Sequence, residues 1–203
     1  MKKSNEELLS GILRKSAAGT DRNPFEKLDL FRNRLMEWNR VHNLTGARTE
    51  EAIEEQIIDS AWPLGFLPSE DSLLDIGTGA GFPGMVLAIL LPDTECTLCE
   101  PLQKRASFLR FIAGELELAN VRVEAKRIEE LEARPFSLIT SRAVTGTHEL
   151  IGWCRPFIGG STQLLFYKGE HVHEEVAGLE RCGIEIVGRK KRNYLWIKEA
   201  SKC

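Results

Sequence analysis

Apolar positions along the chain follow one spacing before residue 70 and another after it. In the first part, Phe25, Leu28, Phe31, Leu35 and Trp38 recur at intervals of three or four, which places their side chains on one face of a helix. Asn23-Pro24 stands ahead of them as a capping residue and a first-turn proline. A second helix is predicted over 50–59, and the polar stretch Pro68-Ser69-Glu70-Asp71-Ser72 leads out of it. Beyond that point short apolar runs predict strands near 73–76, 94–99, 121–125, 136–139 and 164–167, with a helix over 104–116. Such alternation predicts a mostly parallel sheet with right-handed crossovers. The end breaks the rhythm, because 183–187 and 194–197 flank a basic turn and predict an antiparallel hairpin. The chain therefore reads as one α/β domain over 1–203, with a helical extension over 1–70 and a core over 71–203.

The first predicted strand runs straight into Asp75-Ile76-Gly77-Thr78-Gly79-Ala80-Gly81-Phe82-Pro83-Gly84. Glycines let the backbone take positive φ and approach a bound molecule, and free N–H groups at a helix start favour electron-rich ligand atoms. A nucleotide-like cofactor is the expected guest. Gly79-x-Gly81-x-x-Gly84 matches the dinucleotide fingerprint of NAD enzymes, so an NAD-dependent oxidoreductase is one reading. The overlapping Gly77-x-Gly79-x-Gly81, the preceding Asp75, and Glu100 at the end of the next strand look instead like an S-adenosylmethionine (SAM) methyltransferase. In that reading Glu100 accepts hydrogen bonds from ribose hydroxyls. The terminal hairpin favours it too, because the NAD fold continues with parallel strands.

Composition narrows the class without naming a ligand. The 203 residues are 42% hydrophobic and 28% charged, which suits one globular core. The longest apolar run, Met85 to Leu91, stops at Pro92, far short of the ~20 residues of a spanning helix. The lysines near the start have no apolar stretch behind them, so a secretion signal is not expected and the cytoplasm is. Five cysteines in that setting predict reduced thiols. Cys96 and Cys99 have C-x-x-C spacing, but on a strand they should diverge, and His171-x-His173 reads as solvated surface; no metal site is expected. The net charge of −3 gives no global sign of nucleic-acid binding, so any such contact must be local. From Arg181 onward the chain carries seven Lys or Arg against two Glu, whereas 49–60 is acidic. The run Arg189-Lys190-Lys191-Arg192 fits either phosphate contact or a solvated hairpin tip.

Further segments carry a more specific likeness. They are Trp38-Asn39-Arg40-Val41-His42-Asn43-Leu44-Thr45, Ile58-Asp59-Ser60, the loop from Asp75 to Gly84, Lys104-Arg105 with Phe108-Leu109, Ser141-Arg142-Ala143, and Lys168-Gly169. With these the chain resembles, nearly end to end, the bacterial 16S ribosomal RNA (guanine-N7) methyltransferase family, RsmG, also called glucose-inhibited division protein B (GidB). The resemblance implies a Rossmann-like class I SAM-dependent methyltransferase fold. It also implies methyl transfer from SAM to N7 of a guanosine in the decoding-region loop of 16S rRNA. The implied partner is 16S rRNA or the small ribosomal subunit, with neither membrane nor DNA expected.

By the same resemblance Gly77, Phe82, Ile128, Glu129 and Arg142 contact the cofactor. Arg142, at a strand end, could pair with the SAM carboxylate, with Glu129 or with RNA phosphate. Lys104, Arg105, Arg110, Lys168, Arg189, Lys190, Lys191 and Arg192 are candidates to meet phosphates, Lys168 ahead of the hairpin because it ends a strand near the ligand edge. Members usually carry histidine three residues before Asp59, where this chain has Gln56. Ala80 and Phe82 replace a common proline and leucine. Guanine N7 bears a lone pair and no proton, so no general base is expected and no catalytic residue is assigned. A noncatalytic SAM-binding regulator is the other alternative.

Overall fold

A computed structural model describes residues 1–15 and 23–203. The predicted extension begins with α1 (Lys3–Lys15); its stretch 16–22 lies outside the described residues. Helix α2 (Pro24–His42) starts where Asn23 accepts a hydrogen bond from the Phe25 N–H and Pro24 occupies the first turn. It buries Leu28, Phe31, Leu35 and Asn39 and ends at Asn43 in the left-handed conformation. Helix α3 (Glu50–Ala61) is capped by Thr49, whose Oγ1 accepts from the Ala52 N–H. Arg32 of α2 and Glu54 of α3 form a partly buried ion pair at 2.6 Å that joins the two helices.

The core proceeds as β1 (Ser72–Ile76), α4 (Gly84–Leu90), β2 (Glu95–Cys99), α5 (Gln103–Glu115), β3 (Val121–Glu124), β4 (Phe136–Arg142), α6 (Thr147–Cys154), β5 (Ile158–Lys168), the short α7 (Val172–Glu175), β6 (Ile184–Arg189) and β7 (Arg192–Ile197). The seven strands lie in the order β3-β2-β1-β4-β5-β7-β6. The first five are parallel, and β7 pairs antiparallel with both β5 and β6. The order reverses between β1 and β4, which leaves a crevice at the carboxyl ends of the central strands.

Alternation along the strands divides the interior between the two faces of the sheet. Leu73, Cys96 and Leu98 enter one core with α2, α3 and α4, while Leu74, Ile76 and Cys99 enter the other with α6. The two thiols of the C-x-x-C thus part as expected, and burial pushes each up to about 12. The uniform expectation of reduced cysteines is corrected: Cys182 and Cys203 form a disulfide, leaving Cys96, Cys99 and Cys154 free and buried. The last residues fold back, with the Glu199 N–H donating to the Cys182 carbonyl, and this brings the two sulfurs together across 21 positions. Cysteine parity does not encode that proximity.

Two boundaries also differ from expectation. Strand β5 spans 11 residues, because its Gly159-Gly160-Ser161-Thr162 half lacks the apolar run of its second half. Helix α6 has no counterpart among the predicted elements; it covers only 8 residues and two turns.

Helix α3 fastens the extension to the far side of the sheet. Tyr167 of β5 donates to the Ser60 carbonyl at 2.7 Å, and Tyr194 of β7 donates to Asp59 at 2.9 Å. Asp59 also pairs with Arg192 at 2.8 Å and Arg189 at 3.4 Å, and Glu55 takes Arg189 and Lys190 at 2.8 and 3.0 Å. The acidic run on α3 and the basic hairpin tip therefore face each other.

Candidate functional site

The glycine loop is shaped from both ends. Gly77, Gly79 and Gly81 have φ of +68°, +62° and +102°, a region that side-chain-bearing residues seldom enter. A Cβ on Gly77 would lie 2.6 Å from Val144 of the β4–α6 connection. The expected array of free loop amides is not what forms. The N–H groups of Gly77 and Thr78 donate to the Cys99 carbonyl, those of Gly81 and Phe82 donate to the Thr78 carbonyl, and that of Gly84 donates to Asp75. The glycines here supply room and curvature, while most of their donors hold the loop itself.

Two carboxylates do much of that holding. Asp75 is fully buried; its Oδ2 accepts from Gly84 and its Oδ1 from the Thr140 hydroxyl, both at 2.8 Å. Burial pushes its pKa up to about 6 against the pull of these donors. Glu100, 3% exposed, accepts the Gly79 N–H on Oε2 and the Leu102 N–H on Oε1, each at 2.9 Å. Arg105 Nη1 stands 3.8 Å from the same group. Each Glu100 oxygen accepts one of these bonds and has capacity for a second.

Between these elements lies a cleft of ≈ 520 Å³, within the ~300–1,000 Å³ typical of small-ligand sites. Gly77, Phe82, Glu100, Ile128, Glu129 and Arg142 all line it, as does Arg105. Its floor is the ends of β1 and β2, and its sides are the segment after β3 and the end of β4. Its remaining wall comes from the extension, where Leu44, Thr45 and Gly46 follow α2. Buried Asn39 sets that wall by accepting the Thr45 N–H at 2.9 Å and donating to the Ala47 carbonyl at 3.0 Å. Arg127 and Val144 also line the cleft and were not singled out by the sequence patterns.

Arg142 enters the cleft without an anion of its own. Its guanidinium lies 5.0 Å over the Phe82 ring and donates from Nη2 to Gln56 Oε1 at 3.1 Å. Glu129 is exposed at the rim and forms no ion pair with it. Among the described residues no carboxylate reaches ion-pairing distance of Arg142. Burial, with Arg192 nearby, lowers its pKa from the ordinary guanidinium value.

The other cationic candidates separate into groups. Lys168 is buried, donating to Glu175 at 2.8 Å and to the Thr145 carbonyl at 3.1 Å. The strand-end position that set it ahead of the hairpin thus places its ammonium against an internal carboxylate. Arg189, Arg192 and Lys190 are paired with Glu55 and Asp59, while Lys191 is exposed. Lys104 and Arg110 are exposed on α5, where Arg110 donates to the Val123 carbonyl of β3 at 3.3 Å. Lys104 also donates to the His42 carbonyl at 3.2 Å, and Phe111 stacks 5.3 Å from Trp38, so α5 and the end of α2 share one surface. Residues 38–49 and 101–114 contain no Asp or Glu, and they add exposed Arg40 and Arg48 to this face. Composition hid it, since each segment holds only two or three cations.

Residues 24–197 match the family described as GidB, rRNA small subunit methyltransferase G. A protein named Ribosomal RNA small subunit methyltransferase G from Wolinella succinogenes is 52% identical over 171 residues, covering 84% of this chain and 88% of that one. Its counterpart from Aliarcobacter butzleri is 42% identical over 174 residues, covering 86% and 90%. The fold is similar to a structure titled as a putative O-methyltransferase from Klebsiella pneumoniae, with a TM-score of 0.60 at 15% identity, covering 83% of this chain and 90% of that one.

Proposed function

The chain belongs to the GidB family of rRNA small subunit methyltransferases G, and on that premise we propose that the cleft binds SAM and presents its methyl group to guanine N7 in 16S rRNA. As a family member the chain is an rRNA small subunit methyltransferase; the cofactor pose, the target atom and the decoding-region loop are our reading.

The observation that carries it is the convergence of Gly77, Phe82, Glu100, Ile128, Glu129 and Arg142 on one cleft at the strand switch point. Glu100 suits ribose hydroxyls, having a free lone pair on each anchored oxygen. Gly77 leaves space for the amino-acid end, and Ile128 with Glu129 suits the adenine. When bound, SAM supplies an electrophilic methyl group and leaves as a neutral thioether. The guanine N7 lone pair attacks without losing a proton, so the residues need only align the two partners and exclude water. The Cys99 thiol at the cleft is held protonated by burial.

The acid-free face formed by residues 38–49 and 101–114 is our candidate for the phosphate contacts, with Arg40, Arg48, Lys104, Arg105 and Arg110. The extension (1–70) and core (71–203) act together as one methyltransferase domain, since the extension supplies one wall of the cleft. The partner is 16S rRNA or the small subunit, and the working compartment the cytoplasm. No described helix is long and apolar enough to cross a membrane. Methyl transfer from labelled SAM to unmodified small-subunit RNA, with the product mapped by cleavage at 7-methylguanosine, tests this reading.

A further inference from the structure

Gln56 stands outside the cleft, on α3, yet its side chain meets Arg142, a half-buried cation that lines the cleft. We propose that Gln56 is a positioning residue: its amide oxygen holds the Arg142 guanidinium against Phe82 so that the remaining donors receive an anionic group of the bound substrates. This rests on the methyltransferase reading and extends it to a residue that touches neither substrate.

Three observations converge. Arg142 offers five N–H donors, and the partners that fix it are a neutral amide oxygen at 3.1 Å and an aromatic face at 5.0 Å. Neither cancels its charge. The helix carrying Gln56 is itself pinned, because Ser60 donates to the Gln56 carbonyl at 2.7 Å and Tyr167 donates to the Ser60 carbonyl at 2.7 Å. The neighbouring carboxylates of α3 are turned elsewhere, Glu54 to Arg32 and Glu55 with Asp59 to the basic hairpin. A neutral acceptor at this position steers the guanidinium while leaving its charge for a ligand, whereas a carboxylate there would satisfy it. The anion is a carboxylate or a phosphate, and the bound molecules offer both, on the amino-acid end of the cofactor and on the RNA backbone.

The test compares Gln56→Ala, Gln56→Glu and Gln56→His with the wild-type chain. Binding of S-adenosylhomocysteine and of 5′-methylthioadenosine, which lacks the amino-acid carboxylate, is measured by calorimetry, together with kcat and KM for RNA. If the anion is the cofactor carboxylate, Gln56→Glu weakens S-adenosylhomocysteine about tenfold or more and leaves methylthioadenosine unchanged. If it is an RNA phosphate, both small molecules bind as before and the RNA KM rises by a similar factor. Gln56→His keeps an acceptor only while neutral, so its activity should rise with pH through about 6.5 where the wild type is flat.

Equal losses for both small molecules, or variants indistinguishable from wild type in every readout, would overturn the proposal. So would a Gln56→His profile parallel to that of the wild type. Thermal melts identify any variant that fails to fold, and the histidine form, judged against itself across pH, then decides. A wild-type chain that binds S-adenosylhomocysteine but methylates no RNA would sink the substrate reading instead, and the two-ligand comparison would still judge Gln56.

Discussion

Gly84 and Asp75 are fitted to each other: the Gly84 N–H donates to Asp75 Oδ2 at 2.8 Å, and a Cβ on Gly84 would lie 2.6 Å from that same oxygen. The same Cβ would meet Leu98 at 2.4 Å. Helix α4 can therefore start against the sheet only without a side chain. Gly84→Ala should cost roughly 2–3 kcal/mol or more, because neither neighbour can move without disturbing buried strands. Gly79→Ala meets only the Gly77 carbonyl oxygen at an unstrained 3.9 Å and should cost just the left-handed strain of about 1–2 kcal/mol. Denaturant unfolding of the two variants checks the order.

Asp75 makes stability depend on pH in a defined window. Its carboxyl ionises near 3.8 when unfolded and near 6 when folded. Between those values the folded chain holds a proton that the unfolded chain has lost, so this group's contribution falls as pH rises from about 4 to 6 and is constant above. Asn at this position can still accept from Gly84 and donate to the Thr140 oxygen. From about pH 4 to 7 the stability difference should move in favour of Asp75→Asn by about 3 kcal/mol. A difference that stays constant with pH contradicts the assignment.

Asp59 is the point at which extension and sheet are tied. Asp59→Ala leaves nearly buried Arg189 without this carboxylate and Tyr194 without its side-chain acceptor, and should cost about 3–5 kcal/mol. Lys191→Ala, on an exposed side chain of the same hairpin, should change stability by less than about 0.5 kcal/mol.

The face between α2 and α5 predicts a separation of RNA binding from cofactor binding. Lys104→Ala combined with Arg48→Ala should lower kcat/KM for RNA and flatten its salt dependence by about 0.7–0.9 per lost phosphate contact. Affinity for S-adenosylhomocysteine should not change. Lys190→Ala with Lys191→Ala should have the smaller effect on RNA, since Lys190 already serves Glu55.

Much of this architecture could be read along the chain, and the failures have physical causes. The strands β1 to β4 and the loop announced themselves because buried parallel strands are short apolar runs and the glycines mark positive φ. The roles of the loop amides could not be read, because their acceptors, Cys99 and Thr78 carbonyls, belong to backbone whose position depends on the sheet. The acidic run near 50–60 and the basic run near 189–192 were both visible, but only the placement of β7 beside β5 makes them neighbours. Lys168 ends a strand near the ligand edge, but its pairing with Glu175 depends on where α7 lies. Gln56 and Arg142 each stand out along the chain, but their contact across 86 positions does not.

Methyl transfer to small-subunit RNA lacking this modification tests the central claim most directly, using labelled SAM and then chemical cleavage at 7-methylguanosine. The account predicts label in the RNA and a single cleavage at one guanosine of the decoding-region loop. Cofactor binding with no label in naked RNA or in assembled subunits would contradict it, leaving a SAM-binding fold whose acceptor lies elsewhere.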